Sequence, residues 1–469
     1  MDSEHQKVKN NDDNSVANVA TVADVSQKIP KISKACTSIL DNDLYKFTMQ
    51  QAVRQHYPNT PCDYSFNNRS PEVTQLSAKA IPWLQEKIQA MKDLSLTPEE
   101  RVFLETKCPY LSKDYLDWLQ HEFRFKPSEQ VKIEYLDSVS GSDNQKIKIT
   151  VTGNWHQVIL YEVPLLALVS EAYFRFEDQD WSYEAERLIE AGAKFAEFGT
   201  RRRRDYETHR IVLEGIIAGS SSSLSSSSSS VASAGGEGKE RQKGLLTGTS
   251  NLHFAHIMNL TPIGTMAHEW FMGTAAILKD ASRANATSLE RWSKTYPDQA
   301  LGIALTDTFT TEAFLKTFRG QVAREWTGVR HDSGDPFEFI KRIVKHYDED
   351  PLVGPELRRK KRIVFSDGLN VERTIRLLNA AEEQGIEASF GIGTHFTNDF
   401  ERATAPKETT TMSVPTSTSK KEKSPAMNIV IKLHWCADKE CVKLSDDHGK
   451  ESGSPESVLE VRQQIATLS

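Results

Sequence analysis

Two glycine-rich loops in this sequence could hold a phosphate group. One is SDG from Ser366 to Gly368 and the other is GIGT from Gly391 to Thr394, and each follows a short apolar run. Glycine lets backbone N–H groups approach phosphate oxygens closely, and a helix that begins after the loop adds a favourable dipole. A glycine turn is also a common structural feature, so each loop alone leaves both interpretations open. Together, at the ends of neighbouring strands, they could hold one phosphate.

Two carboxylates lie close together in RHDSGD, directly after Arg330. Asp332 and Asp335 could contact ribose hydroxyls or a Mg²⁺ ion that also touches a substrate phosphate. Asp, Ser and Gly equally favour a capped turn. The local sequence favours neither interpretation over the other.

Four consecutive arginines, Arg201 to Arg204, follow the apolar run KFAEFG. Arginine binds phosphates and carboxylates through two parallel hydrogen bonds. On a helix only two of the four could face one ligand, and the spacing favours Arg201 with Arg204. The alternatives are a solvated helical turn or a nucleic-acid patch. The patch is disfavoured because DYETHR follows and the formal net charge is −7.

His268 has the strongest local support for a catalytic role among the histidines. It follows PIGTMA and precedes Glu269, at the end of a short apolar run. A lone histidine is more often structural than catalytic, so its neighbours Gly264 and Thr265 strengthen the case without deciding it. The cysteines match no common zinc spacing and predict reduced thiols without a metal site.

Seven short apolar runs end in small or polar clusters, and most are followed by a helical pattern. Strands that alternate with helices predict parallel β-α-β units. Seven such runs favour an α/β fold with an irregular (β/α) barrel, whose chemistry lies at the carboxyl ends of its strands, over an open doubly wound sheet. The runs are KFAEFG, GLLTGTSN, PIGTMAHE, ALGIALTD, WTGVRHDSGD, KRIVFSDG and ASFGIGT.

The remaining sequence predicts a second, α+β domain that is formed by both ends of the chain. We place it at residues 37–154 and 427–469, with the barrel at 155–403 between them. Its first helix is LYKFTMQQAVRQH, which Asp41 can cap. The other predicted elements are the strand CDYSFNNR, helices around TPEERVFLE and SKDYLDWLQ, a hairpin of VKIEYLDSV and QKIKITVTGNW, and the strands MNIVIKLHW and ECVKLSDDH.

Three segments lack the apolar residues that a folded core needs. Residues 1–36 predict a disordered tail, and residues 218–240 and 404–426 predict flexible low-complexity insertions. The first insertion is expected opposite the active-site face and the second on the active-site side. Neither a membrane-spanning run nor a secretory leader is expected. We therefore expect the cytoplasm, with the nucleus as a second compartment.

Taken in order, these segments resemble the landmark motifs of nicotinate phosphoribosyltransferases. They span about residues 38–450 apart from the two insertions, and the serine tract and extended tails indicate a fungal-like member. The resemblance implies synthesis of nicotinate mononucleotide from nicotinate and 5-phosphoribosyl 1-pyrophosphate, in NAD salvage. The matching motifs are SILDNDLYKFTMQQAV, YSFNNR, FAEFGTRRR, GTSN, PIGTMAHEW, ALTDTF, RHDSGDP, FSDGLN, FGIGTHFTND and NIVIKL.

The resemblance also implies that ATP is a co-substrate of a ligase-type reaction. His268 matches the histidine that becomes phosphorylated, and Asp307 matches a carboxylate near it. Mg²⁺ is implied as a cofactor that enters with the substrate near Asp332, without a dedicated protein site. The remaining residues carried over contact the phosphoribosyl donor: Arg330, Asp332, Ser366, Asp367, Gly368, Gly391, Gly393 and Thr394.

For nicotinate, the resemblance implies that Tyr45 and Phe198 sandwich the pyridine ring and that Arg201 faces its acyl group. Ser250 stands where the related nicotinamide enzyme has an acidic residue, which would repel a carboxylate, so Ser250 favours the acid over the amide. In family dimers the tyrosine comes from the partner subunit, which implies a homodimer with a shared site.

Overall fold

The computed structural model describes residues 32–136, 144–178, 193–225, 245–402, 422–447 and 449–468. The predictions for residues 1–31, and for most of the two low-complexity insertions, lie outside these residues. The strands are β1 Pro61–Asn68, β2 Leu76–Ser77, β3 Val131–Leu136, β4 Asn144–Asn154, β5 Lys194–Glu197, β6 Leu245–Thr249, β7 Ile303–Leu305, β8 Gly328–His331, β9 Arg362–Phe365, β10 Glu387–Ile392, β11 Phe400–Glu401, β12 Lys423–Ser424, β13 Ile429–Cys436 and β14 Lys439–Glu440.

Helices surround these strands. They are α1 Leu44–His56, α2 Ala80–Ala90, α3 Pro98–Lys107, α4 Lys113–His121, α5 Pro127–Gln130, α6 Trp155–Val158, α7 Glu162–Phe176, α8 Tyr206–Ser225, α9 Leu252–Ile257, α10 His268–Leu278, α11 Ala284–Thr295, α12 Thr311–Thr317, α13 Gln321–Glu325, α14 Pro336–Glu349, α15 Gly354–Arg358, α16 Val371–Glu383, α17 Thr394–Asn398 and α18 Pro455–Ala466. The start of the serine tract, up to Ser225, forms the last turns of α8.

An antiparallel sheet joins the two ends of the chain. Its strand order is β14-β13-β1-β4-β2, with β3 paired to β4. The C-terminal strand β13 pairs with β1 over its length, and β3 and β4 form the predicted hairpin. The second C-terminal strand is much shorter than predicted, because only Lys439 and Glu440 pair with β13 and Lys443 makes a single bridge to Ser452.

The second sheet is parallel and has the strand order β6-β5-β10-β9-β8-β7. Six of the seven apolar runs supply its strands, and the seventh adds a parallel bridge from Pro262 to Thr249 at the β6 edge. The first and last strands, β5 and β10, are neighbours, as in a barrel. In the described ranges no pairing joins the Pro262 segment to β7, so the closed barrel stays a prediction. All carboxyl ends meet at one edge, where parallel strands place their chemistry.

One apolar helical segment has the length of a membrane span. Residues Trp155–Phe176, which contain α6 and α7, are long and apolar enough to span a membrane by length and composition alone. However, 94% of the apolar window is buried inside the protein. A core helix passes the same test, so this is weak evidence for a membrane span.

Helix α1 has the predicted bounds, but Asp41 does not cap it. The N-cap residue is Asp43, whose side chain makes no cap hydrogen bond. Asp41 instead accepts two hydrogen bonds from Arg203, at 2.7 and 2.6 Å, and both side chains are fully buried. Burial alone would raise the pKa of the Asp41 carboxyl, but the Arg203 guanidinium holds it well below its usual range. The pair fastens the segment before α1 to the loop after β5.

Breaking this pair should destabilise the fold strongly. We expect Asp41→Ala to lower the free energy of unfolding by about 3–5 kcal/mol, because it leaves a buried guanidinium without its carboxylate. Urea unfolding followed by tryptophan fluorescence measures the loss. Asp114→Ala is the matched control, because Asp114 pairs with Arg54 while its side chain is 77% exposed. Equal losses in both variants would contradict the assigned role of the buried pair.

Candidate active site

One cavity of about 770 Å³ runs along the parallel sheet, from the first residues of β5, β7 and β9 to its carboxyl edge. Twelve of the fourteen predicted site residues line it, and they come from segments far apart in the sequence. These residues are Tyr45, Phe198, Arg201, His268, Arg330, Asp332, Ser366, Asp367, Gly368, Gly391, Gly393 and Thr394. The fold therefore brings the predicted pyridine, donor and histidine sites into one space.

The other two predicted residues, Ser250 and Asp307, are buried and do not line the cavity. The Ser250 hydroxyl donates to Asp43 Oδ1 at 2.8 Å, so it is directed away from the cavity. Ser250 was predicted to favour nicotinate over nicotinamide, which requires that its side chain contact the ligand. In this geometry the side chain does not reach the cavity. Asp307 lies behind His268, with Oδ1 3.9 Å from the imidazole Nε2.

The His268 imidazole is held by polar groups at both nitrogens. Its Nδ1 lies 3.0 Å from Thr308 Oγ1, and its Nε2 lies 3.0 Å from Asp332 Oδ2 and 2.9 Å from Lys443 Nζ. Burial lowers the pKa of His268, and the Lys443 ammonium lowers it further, against the opposing charges of Asp307 and Asp332. Burial and Lys443 thus favour the neutral imidazole, and a neutral ring has a lone pair that can attack an electrophile.

Lys443 was missed by the sequence analysis. Its ammonium lies between His268 and Asp307, 3.2 Å from Asp307 Oδ2, although 175 residues separate it from the histidine. Burial would raise the pKa of Asp307, but His268 and Lys443 lower it, so the carboxyl is ionised. Nothing in the local pattern ECVKLSDDH distinguishes this lysine from a strand residue.

Removing the Lys443 charge should make His268 more basic. We expect Lys443→Met to raise the pKa of the imidazole, because the ammonium that opposes its protonation is lost while Asp307 and Asp332 remain. Titration of the carbon-bound imidazole proton by NMR measures the change. Lys341→Met, which removes an exposed lysine paired with Glu338, should leave the His268 titration in place. An unchanged His268 titration in Lys443→Met would refute the electrostatic coupling.

The two carboxylates of RHDSGD have different roles. Asp332 lines the cavity, and its Oδ1 accepts from Arg330 Nη2 at 3.0 Å and from Ser366 Oγ at 2.6 Å. Asp335 caps α14, because its Oδ1 accepts from the backbone N–H groups of Phe337 and Glu338 at 2.8 and 2.9 Å. Asp332 is therefore placed where it can contact a ligand, whereas Asp335 serves as the cap of a turn.

His268, Asp307 and Asp332 could in principle hold a cation, because one ligand atom of each lies within 4.8 Å of the others. The Lys443 ammonium already contacts two of the three. The Asp332 Oδ1 atom is also taken by Arg330 and Ser366. The cluster therefore has its own cation and does not form an open metal cage, which would leave ligand atoms unshared.

Packing against Phe198 leaves little room for a side chain at either glycine of the GIGT loop. A Cβ at Gly393 would lie 2.9 Å from the Phe198 carbonyl oxygen, and one at Gly391 would lie 3.2 Å from its ring. In the SDG loop, Gly368 adopts a φ of +55°, which favours glycine. Both loops therefore bring backbone to the cavity wall, in the places where the sequence predicted phosphate loops.

The arginine run contributes a different pair from the one predicted. Arg201 and Arg202 line the cavity, whereas Arg203 and Arg204 are fully buried. Arg204 donates to the Asp178 carbonyl at 2.7 Å and to Ser424 at 2.8 Å. The prediction that Arg201 and Arg204 share a face is wrong, because Thr200–Arg202 form one 3-10 turn and Arg203 is extended.

Other cations on the cavity wall were not singled out from the sequence. Arg69, Lys432 and Lys450 line the cavity together with Lys443. Burial, aided by Arg69 and Lys443, lowers the pKa of Lys432 to about 8. The wall is thus rich in positive charge and suited to a polyanionic ligand. Tyr45 and Phe198 both line this cavity within one chain.

The chain is similar to known proteins over most of its length. Residues 193–467 match the nicotinate phosphoribosyltransferase (NAPRTase) family model, and residues 40–170 match the model of the NAPRTase N-terminal domain. The nicotinate phosphoribosyltransferase of Saccharomyces cerevisiae is 39% identical over 438 residues, which cover 91% of this chain and 94% of the relative.

Two solved structures share the fold. A crystal structure from Saccharomyces cerevisiae gives a TM-score of 0.81 at 38% identity and covers 93% of this chain and 99% of the other. The crystal structure of nicotinate phosphoribosyltransferase from Porphyromonas gingivalis gives a TM-score of 0.70 at 33% identity and covers 92% and 99%. The mixed α/β architecture with its separate antiparallel sheet is therefore shared with both.

Proposed function

The chain belongs to the nicotinate phosphoribosyltransferase family, and we propose that it joins nicotinate to 5-phosphoribosyl 1-pyrophosphate and couples this step to ATP hydrolysis through a phosphorylated His268. The products are nicotinate mononucleotide and pyrophosphate, together with ADP and phosphate. One observation supports the proposal above others. A single cavity brings together aromatic side chains, Arg201, the two glycine loops and His268.

The cationic wall suits the transfer chemistry. As the bond from ribose C1 to pyrophosphate breaks, negative charge builds up on the leaving group, and pre-placed cations such as Arg330 stabilise it. The pyridine nitrogen already has a free lone pair, so it needs orientation rather than activation. Tyr45, Phe198 and Arg201 line the cavity and can supply that orientation by stacking and by binding the carboxylate.

His268 has the properties of a phosphoryl acceptor. In the neutral tautomer that we propose, Nδ1 donates to Thr308, and Nε2 carries the lone pair between the Lys443 ammonium at 2.9 Å and Asp332 Oδ2 at 3.0 Å. Attack of Nε2 on the terminal phosphorus of ATP forms the N–P bond, and the bond to the ADP oxygen breaks with its electron pair on ADP. Lys443 then lies beside the new negative charge. Later attack of water on phosphorus releases phosphate and restores the imidazole.

Mg²⁺ enters this proposal with the diphosphate of the substrate rather than as an ion held by the protein alone. Asp332 is the carboxylate of the cluster that lines the cavity, and it is the residue that would meet a substrate-borne cation there. Mg²⁺ bound to phosphates keeps several waters and takes only one or two carboxylates, so a single partly exposed carboxylate such as Asp332 is enough.

A coupled assay tests the proposed function. Purified protein is incubated with nicotinate, 5-phosphoribosyl 1-pyrophosphate, Mg²⁺ and ATP, and mononucleotide and ADP are followed together. We expect nicotinate-dependent formation of both products. Mononucleotide without ADP would reject the ATP coupling, and no mononucleotide at all would reject the transferase.

A further inference from the structure

A fully buried lysine in the wall beside the cavity is engaged by two glutamates. The Lys46 ammonium is 0% exposed, lies 2.5 Å from Glu269 Oε2 and also contacts Glu162 Oε2. Burial disfavours the ammonium, but the two carboxylates outweigh it and raise the pKa of Lys46 above its ordinary value. Burying a charge costs several kcal/mol unless it is well paired, so this cluster of three fixes its members in place.

Glu162 is shared between two cations in this cluster. One carboxylate oxygen contacts Lys46, and the other accepts a single long hydrogen bond of 3.4 Å from Arg201 Nη1. Glu162, Glu269 and Arg201 all line the cavity. The Arg201 side chain remains 48% exposed, and Glu162 is the one carboxylate that pairs with it among the described residues.

This arrangement leaves Arg201 available to a ligand. If Glu162 bound Arg201 through both oxygens, it would occupy the same N–H groups that a ligand carboxylate needs. Lys46 prevents this because it holds one Glu162 oxygen in the buried layer. Glu269 helps to keep the lysine there, since it is itself fixed by the Tyr64 hydroxyl at 3.3 Å.

We propose that Lys46 is a positioning residue for acid recognition: it holds Glu162 back and so keeps Arg201 free to bind an aromatic monocarboxylate. The inference rests on the proposed function, in which that carboxylate is nicotinate. A free Arg201 would explain a preference for the carboxylate over the carboxamide without any contact between the ligand and Ser250. Lys46 itself does not line the cavity and acts through Glu162.

Two double variants separate this role from a structural one. Lys46→Met should raise the KM for nicotinate by at least about tenfold with a smaller change in kcat, because the released Glu162 competes for Arg201. Adding Glu162→Gln should return the KM to within about threefold of the wild-type value, since the competitor has lost its charge. Adding Glu269→Gln instead relieves the same kind of buried charge but leaves Glu162 in place, so the KM should stay high.

Each result decides the proposal. Equal recovery in the two double variants would show only relief of a buried charge and would overturn it, as would an unchanged KM in Lys46→Met. If Lys46→Met does not fold by thermal melting, Glu162→Gln alone should lower the KM for nicotinate about twofold, and an unchanged or higher KM would overturn the proposal. Wild-type mononucleotide formation is measured first, because its failure rejects the proposed function. In that case the calorimetric Kd for nicotinate replaces KM in the same comparisons.

Discussion

Asp332→Asn should raise the KM for 5-phosphoribosyl 1-pyrophosphate by roughly 30-fold to 100-fold, which corresponds to about 2–3 kcal/mol of lost binding. In the wild type, Arg330 and Ser366 both donate to one Asp332 oxygen, and the other oxygen contacts His268. Burial would raise the pKa of this carboxyl, but Arg330 holds it well below its usual range. Asparagine removes the charge and turns one acceptor into a donor that faces other donors.

A competing electrostatic effect acts in the opposite direction. The variant cavity has one negative charge fewer, which by itself favours a polyanion. We expect the lost acceptor for ribose hydroxyls and the released Arg330 side chain to outweigh it, because direct charge-assisted hydrogen bonds are worth more than screened long-range charge.

Asp335→Asn is the matched control for this substitution. It makes the same chemical change three residues away, at the cap of α14, and asparagine is also a good N-cap residue. We expect its KM for the donor to remain at the wild-type value. Steady-state kinetics with varied donor at saturating nicotinate and ATP compare the two variants. A wild-type donor KM in Asp332→Asn would refute its placement in the donor site.

His268→Ala should abolish nicotinate-dependent ADP formation, with a loss of at least about a hundredfold, and leave a slower, uncoupled transfer. The nitrogen that we propose as the phosphoryl acceptor is lost, whereas Arg201, Phe198 and the glycine loops that line the cavity remain. The measurement is ADP and mononucleotide from the same reaction. The wild type should also carry a phosphate that is released by acid, and the variant should not.

His434→Ala provides the comparison for a histidine outside the cavity. Its imidazole is half exposed on β13 and lies 3.1 Å from Asp63. Removing it should leave the ratio of ADP to mononucleotide unchanged. If His268→Ala still hydrolysed ATP in response to nicotinate, His268 would not be the phosphoryl acceptor, and the proposed coupling route would be wrong.

Much of the architecture follows from local sequence patterns. Six of the seven apolar runs form the strands of the parallel sheet, and the bounds of α1 match the predicted helix. The polar clusters after those runs, including His268, Asp332 and the two glycine loops, lie on one cavity wall. The physical reason is that parallel strands align their carboxyl ends, so a residue's position after a strand already places it at the common edge.

Side-chain direction could not be predicted in the same way. A helix through the four arginines would place Arg201 and Arg204 on one face. Instead, one 3-10 turn is followed by the extended residue Arg203, and Arg201 and Arg202 line the cavity. The same holds for Ser250, whose hydroxyl is directed to Asp43. One or two backbone angles decide such cases, and residue type constrains those angles only weakly.

The sequence by itself determined the strand pattern, the polar strand ends and the family motifs, because these depend on residue type and spacing along the chain. Only the tertiary structure decided which charges meet. Lys443 reaches His268 across 175 residues, and Lys46 reaches Glu269 across 223. Such contacts arise when the two ends of the chain pack against the parallel sheet. Local periodicity holds no information about these distances, since it reflects only the burial of neighbouring residues.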